Sequence, residues 1–238
     1  NAFDEAEFLY VIRNFDKAME FYTKAIAEFP ANKLTIDRVE KAVFRKVFYF
    51  TRVKRDMKGL SESLNADLRN KQIPKAVYEM ISSYKAAAQS LAGEKKAGGL
   101  PQKEEALRQY VQKTLKDELS GVFHYENAKK NLINLRLSGW LYEYLDKNPE
   151  TSLRPEIFYW LSFCESRWNK GAYDFLPESY LKKCVVEFPR SPIAPKCYQE
   201  YKTLVTMGYT GSSGTHLPKD VQAELKTLQD LIEGIKDR

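Results

Sequence analysis

With 238 residues, 43% of them hydrophobic and 29% charged, the chain is long enough to bury a real core and has the composition of an ordinary globular protein. No run of about 18 apolar residues occurs, which excludes a bilayer-spanning helix. The net charge of +6 resides in one segment: Lys33 to Lys58 holds nine basic and three acidic residues, so the remainder sums to zero.

Period-two alternation is nearly absent while period 3.6 recurs along the chain, which predicts an all-α protein. The opening "NAFDEAEFLY" has neither an initiator Met nor an apolar signal core, so either a leader has been removed, as in a processed exported protein, or the chain has been shortened. The first unit runs to "AIAEFP". Ala6 and Leu9 share one helical face, Asn14 and Phe15 mark a turn, and Ala18, Tyr22 and Ala25 line a second helix that Pro30 stops. Small residues at the crossing let two antiparallel helices approach closely.

Next comes "LTIDRVEKAVFRKVFYFTRVKRDMK", with Val39, Val43, Val47, Phe50, Val53 and Met57 at three- and four-residue steps. This spacing predicts a buried stripe, widened by Phe44 and Phe48. The cations Arg38, Lys41, Arg45, Lys46, Arg52, Lys54, Arg55 and Lys58 fill the rest of the circumference and are expected to form a solvated face. As a functional alternative, this basic segment (33–58) would bind an anionic surface or nucleic acid.

Residues 60–92 and 102–147 are predicted helical, the latter broken near Gly121 and Gly139. "GEKKAGGLPQK", 93–103, is the clearest linker or loop. It divides an N-terminal lobe (1–92) from a C-terminal lobe (104–238). The second lobe holds a repeat-like unit (155–207) and a terminal helix (218–236).

In that late unit, "KKCVVEFP" aligns with "KAIAEFP" at an offset of 159 residues. Cys184 then stands at the position of Ala25, and Leu181 at that of Tyr22. Cys164, Cys184 and Cys197 have neither CxxC spacing nor a nearby histidine; they are expected to be apolar core fillers. The corner "GYTGSSGTHLP" matches no phosphate-binding or nucleophile template. It is read as a loop in which Gly208 caps a helix, Gly211 and Gly214 permit tight turns, and Pro218 opens the last helix. Its eleven residues exceed what a corner needs, which suggests a mobile connector or, in preference, a contact point for a partner.

Ala6, Ala18, Tyr22, Ala25 and Pro30 match the tetratricopeptide repeat in order and spacing, although its early Trp is missing and Leu9 stands where Tyr is usual. The segment from Arg190 to Gly208 resembles the run-on helix of tetratricopeptide-like outer-membrane lipoproteins of the barrel-assembly type. The resemblance implies a tetratricopeptide-like solenoid or superhelix of helical hairpins. It also implies a non-catalytic scaffold or adaptor for another protein, in a periplasmic or outer-membrane-associated complex, with the cytoplasm as the alternative compartment.

One enzymatic motif competes. "ESRWN", Glu165 to Asn169, looks like the Glu box of lytic transglycosylases, where the Glu is the general acid that cleaves peptidoglycan. The Gly-Leu-Met-Gln run that comes next in that family is absent, and Glu165 falls inside a repeat helix, so no catalytic residue is assigned. Neither a cofactor nor a metal is expected. The residues expected to meet a partner are Arg45, Arg52, Arg55, Tyr142, Tyr173, Tyr209, Thr210, Ser212, Ser213 and His216.

Overall fold

The computed structural model describes residues 1–93, 100–120, 127–166, 176–212 and 214–234. The chain is all-α, 76% helical with 2% strand. Among the described residues twelve α-helices succeed one another in chain order: α1 (Ala2–Val11), α2 (Phe15–Ala27), α3 (Ile36–Phe48), α4 (Met57–Asp67), α5 (Lys75–Gly93) and α6 (Glu104–Thr114), then α7 (Lys116–Leu119), α8 (Ala128–Lys147), α9 (Arg154–Ser166), α10 (Leu176–Glu187), α11 (Ala194–Gly208) and α12 (Lys219–Glu233). They form two compact units. The first comprises Asn1–Gly99 with His124–Trp140, the second Leu100–Phe123 with Leu141–Arg238.

In the first unit α1 and α2 form a tight hairpin, and α4 and α5 another. Asn1 caps α1 by accepting the Asp4 N–H at 3.0 Å, which satisfies one of the donors a helix start leaves open. Arg13, at φ 64°, turns the chain into α2. Ala6, Ala18, Tyr22 and Ala25 are all fully buried at the crossing, as the spacing predicts. Helix α3 runs parallel to α1, with Arg38 on Asp4 and Lys41 on Glu7; each of these pairs is 34 residues apart.

The predicted stripe through residue 57 holds only in part. Val39, Val43 and Val47 are fully buried, but Phe50 is half-buried and Val53 is 48% exposed. The reason is a π-helical turn, Tyr49–Val53, directly after α3. Its Lys54 N–H reaches back five residues to the Tyr49 carbonyl at 2.9 Å. One inserted residue rotates the downstream side chains by about 100°, so Tyr49 and Thr51 turn inward instead. Met57 is buried because it opens a new helix, capped by Asp56 on the Gly59 N–H at 2.8 Å.

The predicted break at Gly139 does not occur, since α8 is continuous across it. A Cβ there would lie 3.0 Å from the Arg52 carbonyl, so glycine serves close backbone approach of the π-helical turn. The neighbouring prediction, a break near Gly121, lies outside the described residues.

In the second unit α9 and α10 pack as a hairpin, α10 continues onto α11, and α12 lies against both. Cys184 and Cys197 are not separate core fillers: they form a disulfide joining α10 to α11 across 13 residues. Both are fully buried, and the turn between the two helices brings their Cα atoms to 6.2 Å, within disulfide reach. Cys164 is a buried thiol.

The corner after α11 is not a strandless loop. Thr210–Gly211 pairs antiparallel with Gly214–Thr215, and the Thr210 and Thr215 hydroxyls meet at 2.9 Å. Gly214, at φ +101°, takes a backbone conformation that a side chain disfavours. Gly208 is the last residue of α11 rather than its cap, a role that falls to Tyr209.

Candidate functional site

Ion pairs decide what the basic segment presents. Lys41 Nζ lies 2.6 Å from Glu7, Arg45 Nε 3.3 Å from Glu7, Lys54 Nζ 2.6 Å from Asp16, and Arg38 3.4 Å from Asp4. The acidic residues of α1 and α2 therefore face the cations of α3 and the π-helical turn. Tyr49 adds its hydroxyl to Asp16 at 2.7 Å.

Lys46 is not on a solvated face. It is fully buried, and its Nζ lies 2.7 Å from both oxygens of Asp67, itself 2% exposed. Burial pushes the Lys46 ammonium down and the Asp67 carboxyl up, and the mutual attraction opposes both shifts. Its position carried a signal: residue 46 lies in phase with Val39, Ala42, Val43 and Val47, all buried on the same face of α3.

A second motif, a tyrosine hydroxyl on a carboxylate, recurs in both units. Tyr22 donates from α2 to Glu7 on α1, and Tyr180 donates from α10 to Glu165 on α9 at 3.2 Å. In each hairpin the two residues are 15 apart. Burial alone would raise Glu7, but donors from Lys41, Tyr22 and Arg45 hold its carboxyl below the usual range. The Tyr22 hydroxyl is pushed up by burial and by Glu7. A third such bond joins Tyr201 on α11 to Glu224 on α12, and Lys182 also reaches Glu224 at 2.9 Å. Glu165, 6% exposed, is the most deeply buried of the three carboxylates.

The expected partner-binding residues fall into separate groups. In the first unit, Arg45 is half-buried with its guanidinium 4.2 Å from the Tyr10 ring centroid. Arg52 lies 5.1 Å from the Phe48 ring, and Arg55, at φ 56°, donates to the Gly139 carbonyl at 3.4 Å. In the second unit, Tyr142 packs edge-on against Tyr180 with centroids 6.0 Å apart.

Tyr209, Thr210, Ser212 and His216 are brought together on the exposed hairpin. The His216 N–H donates to the Tyr209 carbonyl at 3.1 Å, and Met207 beside them is 67% exposed. Tyr173 and Ser213 lie outside the described residues.

Carboxylates and hydroxyls crowd one another among α9, α10, α11 and α12. Burial pushes Tyr159 up to about 12, with Glu200 adding to it. Glu200 is raised by burial, and Glu178 by burial and by Glu224. Elsewhere in this unit, Glu104 at the start of α6 accepts from the Thr151 and Ser152 hydroxyls, both at 2.6 Å, and so fastens the turn before α9.

No protein-family model, no curated protein and no solved structure matches this chain.

Proposed function

We propose that the chain is a non-catalytic protein-interaction scaffold built from degenerate tetratricopeptide-like hairpins. The observation that carries this reading is the parallel pairing of α1 with α3 at a separation of 34 residues. That is the period of the tetratricopeptide repeat, about 34 residues, and it sets α3 beside the α1–α2 hairpin where the first helix of a following repeat would lie, while α4 pairs chiefly with α5. The π-helical turn and the residues after it separate α3 from α4, so a compact repeat spacing does not continue past α3 in the sequence. Stacked hairpins leave their outer faces free for recognition.

The exposed β-hairpin with Tyr209, Thr210, Ser212 and His216 is the contact we assign to the second unit. The buried Cys184–Cys197 disulfide supports folding in an oxidising compartment, in keeping with the bacterial envelope. Glu165 shares its tyrosine partner and its 15-residue spacing with Glu7, which supports a hairpin-fastening role over that of a peptidoglycan general acid.

Photo-crosslinking residues at Tyr209 and, as a buried control, at Leu228 test the reading in cells. A discrete partner adduct from position 209 and none from 228 is the expected result. Muropeptide release by the purified chain that disappears in Glu165→Gln would replace the scaffold with an enzyme.

A further inference from the structure

Helix α11 buries Ala194, Cys197, Tyr201 and Val205. On another side it sets Lys196, Glu200, Thr203 and Met207 in line, at helical steps of four, three and four residues. Met207, at the end of that line, is 67% exposed, and Tyr209 just past it is 42% exposed. Neighbouring apolar side chains left in water beside the β-hairpin offer a place for a partner to dock.

Glu200 adds a charge requirement. It is half-buried, yet among the described residues it takes part in no hydrogen bond or ion pair, and neither does Lys196 one turn before it. Glu7, Glu165 and Glu224 each receive a tyrosine hydroxyl, whereas Glu200 receives none. Burial pushes its carboxyl up, and burial together with the Glu200 charge pushes up the Tyr159 hydroxyl on α9. A carboxylate partly stripped of water and left without a donor gains more from an arriving cation than an exposed one does.

We propose that this side of α11 receives an extended segment of a partner protein, with an Arg or Lys on Glu200 and an apolar side chain on Met207 and Tyr209. The seven residues from Glu200 to Met207 span about 10.5 Å of helix, and three residues of extended chain span about 10 Å. The cation and the apolar residue of the segment therefore stand three positions apart. The chain as a whole carries +6, so general attraction does not draw in a cationic segment and the local carboxylate must select it. This names the occupant of the contact assigned to the β-hairpin and rests on that reading. One ion pair and one apolar contact make a weak complex, with a dissociation constant on the order of 1 mM for an isolated segment.

Nuclear magnetic resonance titration of the isotopically labelled whole chain tests this. The probes are the capped hexapeptide Ser-Arg-Ser-Ser-Leu-Ser and its reversed sequence. One of the two directions is expected to give saturable shifts centred on Glu200, Met207 and Tyr209. Citrulline in place of the Arg, or Glu200→Gln in the chain, should each weaken binding about fivefold, and the two together no further. A peptide with Leu directly after Arg should lose about as much. Glu200→Gln removes no bond, so the unfolding midpoint should not fall, which separates loss of contact from loss of fold.

Shifts that saturate with neither peptide overturn the proposal, as does a citrulline peptide that binds equally well. Indifference to the Arg–Leu spacing overturns the pairing of Glu200 with Met207. In cells, a partner adduct at position 209 that survives Glu200→Gln removes the cationic occupant and leaves the scaffold contact standing. Absence of any adduct at 209 removes that contact itself.

Discussion

The two units solve the same packing problem with different chemistry. The first carries a net charge of +7, with 21 cations against 14 anions, and the second −1, with 17 against 18. In the first, neighbouring helices are fastened by ion pairs, from Asp4–Arg38 to the fully buried Lys46–Asp67. In the second, α10 and α11 are joined covalently, hydroxyls donate to Glu165, Glu224 and Glu104, and ion pairs such as Arg108–Glu156 and Lys182–Glu224 add to them. An excess of cations thus does not by itself make a docking surface: the anions of α1 and α2 are spent on it. Ion pairs and a disulfide also respond to different insults, which gives each unit its own vulnerability.

The largest effect is expected where the first unit buries its charges. Lys46→Met leaves Asp67 buried without its cation and should cost about 3–5 kcal/mol in urea unfolding, whereas Lys46→Met/Asp67→Leu should recover most of the loss. Recovery by the double change would show that the pair specifies geometry more than it stabilises. Equal loss in both would make the ion pair itself the fastener.

The second unit should break on reduction. Cys184→Ser/Cys197→Ser opens a ring of about 14 residues and should cost about 3 kcal/mol, while leaving the first unit's unfolding midpoint unchanged. Loss of both units together would erase the contrast.

The smallest effect concerns pH. Glu7 is held below its ordinary value of 4.5, so its contribution is present above that value and is lost as pH falls through the lower folded value. Glu7→Gln should flatten the acid limb of stability, measured as the urea midpoint across roughly pH 3–7. An unchanged slope would remove Glu7 from the set of pH-linked fasteners.

Much of the architecture was legible from residue spacing. Ala6, Ala18, Tyr22 and Ala25 predicted the first hairpin because small residues at helical intervals have few other uses than a close crossing. The same offset placed Cys184 and Leu181 at positions that the structure buries, at 0% and 1% exposed. The π-helical turn was illegible because the weak helix formers Tyr, Phe, Thr and Val in "YFTRV" do not specify an inserted residue, which emerges only from packing. The charged face was misassigned at Lys46 for a related reason. Periodicity gives the phase of a helix, but a lysine inside the buried phase makes sense only once Asp67 arrives from another helix.

By itself, the sequence determined the all-α class, the first hairpin and the repeated Glu-Phe-Pro endings, because each arises from local periodicity and helix-stopping residues. Tertiary structure alone decided which cations are spent on ion pairs and that Cys184 meets Cys197. It also turned "GYTGSSGTHLP" into a paired hairpin and set position 139 against a carbonyl from another element, where a side chain would be crowded. Those outcomes depend on which elements lie side by side, and contacts between distant segments leave no fixed spacing along a single chain.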